Sequence, residues 1–328
     1  MENLIFSLVL ILAGLLLGYL VQKLHAARRI SLPMGIVFLR KSLQKIGLLV
    51  FMPISFLGAV WIVPFGDLRI VWLPVIGLAA LLSGGLLAVG AAKTLRVPRE
   101  QIGVMYCCGS FTNIGAIGSL ACFMLLGEAG FALVALYKMF EEISYYTIGF
   151  PIARYYGGSG PAQGSGLQRM AGVVKDPFVA TVLSAFFIGL ALNLSGIDRP
   201  LFMEKVTAFC VPAGTFVLIF SIGLAMRFSS VAHHMNACAA VAAIKFVGVP
   251  LIACSLAYLA NLHLVAGGLP FKVVLVLSSM PVAFNALVAA SIFDLDLDLA
   301  NSVWLVTTGL LIAVLPWLYF LLRMLPFA

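Results

Sequence analysis

Long apolar runs alternate with short polar or glycine- and proline-rich breaks along the whole chain. A helix that spans the hydrocarbon core of a bilayer needs about 20 apolar residues, and each run is close to that length. The pattern therefore predicts an all-α polytopic membrane protein with ten transmembrane helices. The predicted spans are residues 3–22, 43–63, 70–92, 101–126, 129–153, 177–195, 203–226, 236–260, 271–293 and 299–323.

The composition excludes a soluble domain. Of 328 residues, 63% are hydrophobic and 10% are charged, against about 25% charged in a typical soluble protein. The first apolar run has no basic region before it and no small-residue cleavage site after it, so we interpret it as a span and not as a signal peptide. The lipid bilayer is the first expected partner.

The distribution of basic residues predicts the orientation in the membrane. With the N-terminus outside, thirteen Lys and Arg residues fall on the inner connections and five on the outer side. Inner loops of membrane proteins carry the excess of Lys and Arg, so both termini should be extracytoplasmic. The net charge of +8 is then a topology signal, and no nucleic-acid partner is expected.

The chain divides into two similar halves. A Gly- and Ser-rich linker, residues 156–176, separates five spans in residues 1–155 from five in residues 177–328. An odd number of spans per half inverts the second copy, an arrangement typical of secondary transporters with a site at the repeat interface. Helix breakers fall at matching places in the two halves, as the pairs Pro53 and Pro212, Pro74 and Pro250, Asn113 and Asn285, and Pro151 and Pro316.

Two segments place helix breakers and small polar residues inside apolar runs, residues 109–118 and 278–286. A helix broken at membrane depth is tolerated where its backbone lines a cavity, and the half-helix that follows offers N–H donors to an anion. Asn113 and Asn285 would add side-chain amides. The alternative is that these residues only allow close helix packing.

The motif around Asn113, with its following glycines, resembles the fourth helix of the auxin efflux carrier family. Residues 280–288, Met-Pro-Val-Ala-Phe-Asn-Ala-Leu-Val, resemble the ninth helix of that family. The resemblance implies ten helices in a five-plus-five inverted repeat, with helices four and nine broken and crossing at the centre. Members transport auxin or small carboxylates such as malate and malonate, and plant members are dimers, so a homodimer is one expectation.

By motif position the resemblance makes Asn113 and Asn285 substrate-site residues and Pro281 the breaker of the ninth helix. One departure is Ser119, which stands where the family usually has proline. The long cytosolic loop of the plant carriers is absent, which is typical of a bacterial inner-membrane protein. The flanking residues that we include in the expected site are Thr112, Ile114, Gly115, Val282 and Phe284.

Four charged residues lie near the middle of predicted spans, namely Lys138, Glu141, Glu142 and Lys245. Each charge at the centre of a membrane helix costs roughly 2.5–3.5 kcal/mol, so such residues usually face the protein interior and mark a pathway. Lys138 and either glutamate can pair on one helix face. They form either a coupling site or a static ion pair, and Lys245 could balance the charge of the substrate.

These observations predict a carrier of small organic anions that works by alternating access, with protons or Na⁺ as candidate coupling ions. The alternative is a membrane-embedded receptor that binds a ligand without transporting it. An enzyme is not expected, because no nucleophile and base are paired. We predict no cofactor and no metal, and interpret Asp294, Asp296 and Asp298 as a turn that caps the tenth helix.

Overall fold

The structure, a computed structural model, describes residues 2–31, 35–62, 67–157, 177–226 and 231–325, and in these ranges it is helical. Of the predicted linker, only residues 156 and 157 lie inside the described ranges. The helices of the first half are α1 (Glu2–Ala26), α2 (Gly35–Ile46), α3 (Met52–Val60), α4 (Trp72–Thr94), α5 (Arg99–Ser110), α6 (Ser119–Tyr137), α7 (Glu141–Ser144) and α8 (Phe150–Tyr156). Those of the second half are α9 (Pro177–Leu194), α10 (Leu201–Gly223), α11 (Met235–Ala243), α12 (Val249–Leu259), α13 (Leu269–Ser278), α14 (Asn285–Ile292), α15 (Leu297–Gly309) and α16 (Leu311–Met324).

Six helical segments of the described residues are long and apolar enough to cross a bilayer. A seventh results if α15 and α16, which meet at a bend of 43°, form one span. The prediction of an all-α polytopic membrane protein is therefore confirmed. The count of ten spans is not reached, because helix breaks divide some predicted spans into short pieces, and it stays a prediction. The six segments are Ile5–Ala26, Gly35–Val60, Leu68–Thr94, Ile114–Tyr156, Leu201–Gly223 and Val231–Leu259.

The chain forms two compact units that each draw on both halves of the sequence. Unit 1 comprises Met1–Phe65, Gly115–Ala135 and Asp176–Arg227, and unit 2 comprises Gly66–Ile114, Leu136–Lys175 and Phe228–Ala328. Each unit therefore contains segments from both predicted halves, 1–155 and 177–328, and the division into two repeats stays a prediction.

In unit 1, α1 packs closely against α10. A Cβ atom on Gly18 would lie 2.3 Å from the Phe220 carbonyl oxygen, so only glycine permits this approach. Small residues at helix contacts are the usual means by which membrane helices come together. Glu128 and Arg199 form an ion pair, and both side chains are largely buried.

In unit 2, α4 and α5 cross at a pair of glycines. A Cβ on Gly84 would lie 2.3 Å from the Gly109 carbonyl oxygen, and one on Gly109 would lie 2.4 Å from the Gly84 oxygen. This contact fixes the end of α5 against α4. The side chain of Asp296 caps α15 by accepting a hydrogen bond from the Leu299 N–H (2.8 Å), and it also accepts one from the Gln101 amide (2.8 Å).

Three prolines stand next to wider, π-helical turns. Pro53, Pro151 and Pro250 each follow such a turn by two residues. Proline has no N–H group and crowds the preceding turn, and a π-helical turn relieves that crowding within a helix. Such turns occur frequently at functional sites, and the turn before Pro250 contains Lys245. In the described part of the chain, the π-helical turns are Gly47–Phe51, Ile114–Gly118, Tyr145–Gly149 and Ile244–Gly248.

Candidate functional site

Two interrupted helices of unit 2 meet through their backbones. α5 ends at Ser110 and helical structure resumes at Ile114, while α13 ends at Ser278 and α14 begins at Asn285. Thr112 and Val282 form an isolated antiparallel bridge. We call these two interruptions, residues 111–113 and 279–284, the paired breaks.

The paired breaks are joined by hydrogen bonds between their own backbone groups. The Asn113 N–H donates to the Pro281 carbonyl (2.9 Å), and the Ala283 N–H donates to the Phe111 carbonyl (3.0 Å). Unpaired buried backbone groups are costly, and these bonds remove that cost. The sequence had suggested that the broken helices offer bare N–H groups to an anion. These two amides are not available for that purpose.

Two further amides of the breaks are bound by side chains. The Thr112 N–H donates to the Tyr145 hydroxyl (3.2 Å), and the Val282 N–H donates to the hydroxyl of Thr307 (3.4 Å). A ligand at the paired breaks would therefore be recognised mainly by side chains and by charge, and only to a smaller extent by backbone donors.

Lys245 brings a positive charge to the paired breaks. Its side chain is fully buried, and Nζ donates to the Thr112 hydroxyl and to the carbonyl oxygens of Gly109 (3.3 Å) and Phe111 (3.4 Å). The C-terminal end of a helix carries partial negative charge, so the end of α5 holds the ammonium group in place. No carboxylate of the described residues is in salt-bridge contact with Lys245.

A second polar cluster leads to the same threonine. Lys138 Nζ lies 3.2 Å from Glu141 Oε2, and both side chains are largely buried. The Tyr145 hydroxyl donates to Glu141 Oε1 (2.8 Å) and lies 3.3 Å from the Thr112 carbonyl oxygen. Contacts thus run from Lys138 through Glu141, Tyr145 and Thr112 to Lys245.

Several other predicted site residues lie in or beside the paired breaks. Asn113, Ile114, Pro281 and Val282 are buried, and Asn285 is half-buried at the start of α14. Their contribution to a substrate site stays a prediction.

The remaining predicted residues are placed differently. Phe284 packs edge-on against Trp304 of α15, with ring centroids 6.4 Å apart. Gly115 lies in the π-helical turn Ile114–Gly118 and belongs to unit 1. Glu142 is half-buried next to Glu141.

Sequence reasoning missed Tyr145 and a polar face of α15. Tyr145 could have been found, because it follows Glu141 by one helical turn inside an apolar run. On α15, Trp304 Nε1 and Thr308 Oγ1 are buried without a hydrogen-bond partner in the described part of the chain. Trp304 and Thr308 are four residues apart, and this spacing alone does not indicate a functional site in a single sequence.

The site offers cationic and amide donors, and the described residues contain no cluster of three or more His, Cys, Asp or Glu side chains that could hold a metal ion. The donor set of Lys245, Asn113 and Asn285 fits an anionic or carbonyl oxygen.

No protein-family model matches the chain. A protein of Methanothermobacter thermautotrophicus named "Uncharacterized transporter" is 25% identical over 204 residues, which cover 62% of this chain and 63% of that protein. A second "Uncharacterized transporter", from Methanocaldococcus jannaschii, is 24% identical over 258 residues, or 76% of this chain and 79% of that protein. A protein of Rhizobium meliloti named "Putative malonate transporter" is 25% identical over 219 residues, or 66% of this chain and 65% of that protein.

The names of these relatives, together with the apolar helices, support a transporter role for this multi-pass membrane protein. The match spans less than two thirds of the length of the first and third of these relatives.

Proposed function

We propose that this protein is a secondary active transporter of small organic anions, related to the auxin efflux carriers, that works by alternating access. The observation that carries the proposal is Lys245, a fully buried cation at the paired breaks without a carboxylate in salt-bridge contact among the described residues. A buried charge is costly unless it is paired. An anionic substrate would supply the missing partner during part of the transport cycle.

The substrate class that fits these groups is a small carboxylate. A carboxylate accepts up to four hydrogen bonds, and the side-chain amides of Asn113 and Asn285 and the ammonium group of Lys245 are all donors. One of the relatives bears the name of a malonate transporter, which supports carboxylates as the class to test first.

The placement of the repeated helix breakers supports a ten-span, five-plus-five inverted repeat. Asn113 and Asn285 both belong to unit 2, as do the pairs Pro74 with Pro250 and Pro151 with Pro316, whereas Pro53 and Pro212 both belong to unit 1. All four pairs therefore keep their two members in one unit. Two copies of one fold that interleave around a shared site would produce this distribution.

Glu141, Glu142 and Lys138 are the proposed coupling residues, with protons or Na⁺ as the coupled ion. The contact chain through Tyr145 gives this cluster a route to the paired breaks. The alternative role for Lys138 and Glu141 is a static ion pair. We further propose a location in a bacterial inner membrane with both termini extracytoplasmic, and a homodimer as the assembly to test.

The test is uptake of radiolabelled carboxylates into liposomes that contain only this protein. We expect uptake by the wild type, and its loss in Asn285→Ala with thermal stability retained, because that substitution removes a donor and leaves α14 able to form. Uptake by Asn285→Ala at the wild-type rate would contradict the role of this amide. Binding of carboxylates without any flux would instead favour a ligand-binding receptor.

A further inference from the structure

A groove of about 420 Å³ lies between the first turns of α4 and the last turn of α12, both in unit 2. Its wall is formed by Arg69, Trp72, Val75, Ile76, Leu256 and Leu259, together with Ala260 and Asn261. We propose that this groove binds a phospholipid, with the phosphate on Arg69 and the upper part of an acyl chain along the apolar wall.

The guanidinium group of Arg69 has the donors that a phosphate needs. Of its five N–H groups, Nε and Nη2 bind the Asp67 carboxylate, and Nη1 donates to the Asn261 carbonyl (3.4 Å). One N–H on Nη1 and one on Nη2 remain without a protein acceptor among the described residues. Two such groups in one plane match two oxygens of a phosphodiester.

Asp67 holds the guanidinium in this orientation. Its carboxylate accepts from Nε at 3.0 Å and from the Arg69 backbone N–H at 2.9 Å. The hydrogen bond from the Arg69 side chain keeps the pKa of Asp67 below its usual range, so the carboxylate stays ionised. Arg69 is still 39% exposed and can therefore reach a headgroup.

The apolar wall follows directly below the arginine. Trp72, Val75 and Ile76 are three and four residues apart and so share one face of α4. From Trp72 to Ile76 this face extends roughly 6 Å along the helix axis. Trp72 and Leu259 are 52% and 75% exposed. Because both helices belong to segments apolar enough to cross the bilayer, we expect these exposed side chains to face lipid.

This combination distinguishes the groove from the paired breaks. A small carboxylate has no chain to cover the apolar wall, and a neutral apolar molecule makes no use of Arg69. An amphipathic molecule with an anionic phosphate uses both. Tryptophan at the end of a span is typical of the level at which headgroups lie, which places Arg69 at phosphate depth.

The experiment is native mass spectrometry of the full chain, delipidated in detergent and titrated with dioleoyl phosphatidylglycerol. In Arg69→Gln we expect the affinity for this lipid to fall about tenfold, because the charge-assisted hydrogen bonds to the phosphate are lost. Arg323→Gln is the matched control, because Arg323 is an exposed arginine that lies over the Tyr319 ring. Its lipid affinity should equal that of the wild type.

A second variant guards against misfolding of the first. Val75→Trp fills the groove while Arg69 is unchanged, and it should weaken lipid binding to a similar extent. Wild-type lipid affinity in both variants would overturn the proposal. So would equal binding of dioleoylglycerol, which lacks the phosphate, or displacement of the lipid by an equal concentration of glycerol 3-phosphate, which lacks the chains.

Discussion

Replacing Lys245 by methionine removes the charge at the paired breaks while a straight side chain of similar length remains. The ammonium group now donates to the Thr112 hydroxyl and to the carbonyls of Gly109 and Phe111. The Phe111 carbonyl also accepts the Ala283 N–H, and the Thr112 hydroxyl donates to the Ser110 carbonyl. Two of the three acceptors therefore keep another hydrogen bond in the variant.

The cost to stability should be small for this reason. Leaving a buried acceptor such as the Gly109 carbonyl without its donor costs about 1–3 kcal/mol. Removing a charge from a membrane helix recovers roughly 2.5–3.5 kcal/mol on insertion scales. The recovery matches or exceeds the loss over most of these ranges, so Lys245→Met should unfold at the wild-type temperature or above it.

The cost to substrate binding should be large. A hydrogen bond to a charged group contributes about 1.5–3 kcal/mol, which corresponds to roughly a 10- to 150-fold loss of carboxylate affinity. Titration calorimetry in detergent measures this change, and a thermal melt of the same sample measures stability. Lys272→Met is the control, because Lys272 donates to the Gly267 carbonyl, which lies outside the paired breaks. Unchanged affinity in Lys245→Met, or unfolding without any ligand, would refute the reasoning.

Two further predictions concern stability. Gly109→Ala should destabilise the protein by about 1–3 kcal/mol through overpacking, because its Cβ would lie 2.4 Å from a backbone oxygen of α4. A Cβ at Gly90 would meet open space, so Gly90→Ala should be neutral or slightly stabilising in the same thermal melt. Thr308→Val should stabilise by about 1 kcal/mol, since it removes a buried hydroxyl without a partner among the described residues. Thr307→Val should destabilise by a similar amount, because that hydroxyl binds the Val282 N–H. Identical melts for the two members of either pair would contradict the assignments.

The helix interruptions could be predicted because their signals are local. Glycine, proline and asparagine inside an apolar run disfavour a continuous helix wherever they stand. The segments around Asn113 and Asn285 contain such residues, and α5 and α13 end within them. The apolar lengths of the spans are equally local, so the membrane class followed from the sequence alone.

The bonding of the interruptions could not be predicted, because their partners are distant in the chain. The Asn113 N–H finds its acceptor on Pro281, and the Val282 N–H finds its acceptor on Thr307. The breaks resemble anion sites in sequence, yet these donors are consumed by the tertiary structure. A sequence pattern indicates where backbone groups leave a helix, but it does not indicate which group then binds them.

The number of spans was hard to fix for a related reason. Hydropathy does not distinguish one long helix from two helices joined by a bend. Residues 114–156 form one helical segment, although the fourth span was predicted to end at residue 126 and the fifth to begin at residue 129. Gly127, between these two positions, interrupts the segment with a φ of 74°. Only glycine adopts that conformation readily. How far Gly127 changes the direction of the helix axis depends on the packing around it.

The charges near the paired breaks make a specific prediction about coupling if the proposed function holds. With both lysines protonated and both glutamates ionised, Lys138, Glu141, Glu142 and Lys245 sum to zero. A monocarboxylate that binds at Lys245 would leave one negative charge uncompensated in the interior, which costs several kcal/mol. Uptake of one proton or one Na⁺ per monocarboxylate, and of two per dicarboxylate, restores neutrality.

Such transport is electroneutral, so uptake into liposomes should be independent of a potassium diffusion potential set with valinomycin. Glu141→Gln and Glu142→Gln each remove one ionisable group. The substitution at the residue that receives the proton should make uptake dependent on the potential, whereas the other should leave it electroneutral. Uptake by the wild type that follows the membrane potential would contradict the charge balance. Uptake that is also independent of the proton and Na⁺ gradients would assign Lys138 and Glu141 to a static ion pair, because the substrate would then cross with its charge uncompensated.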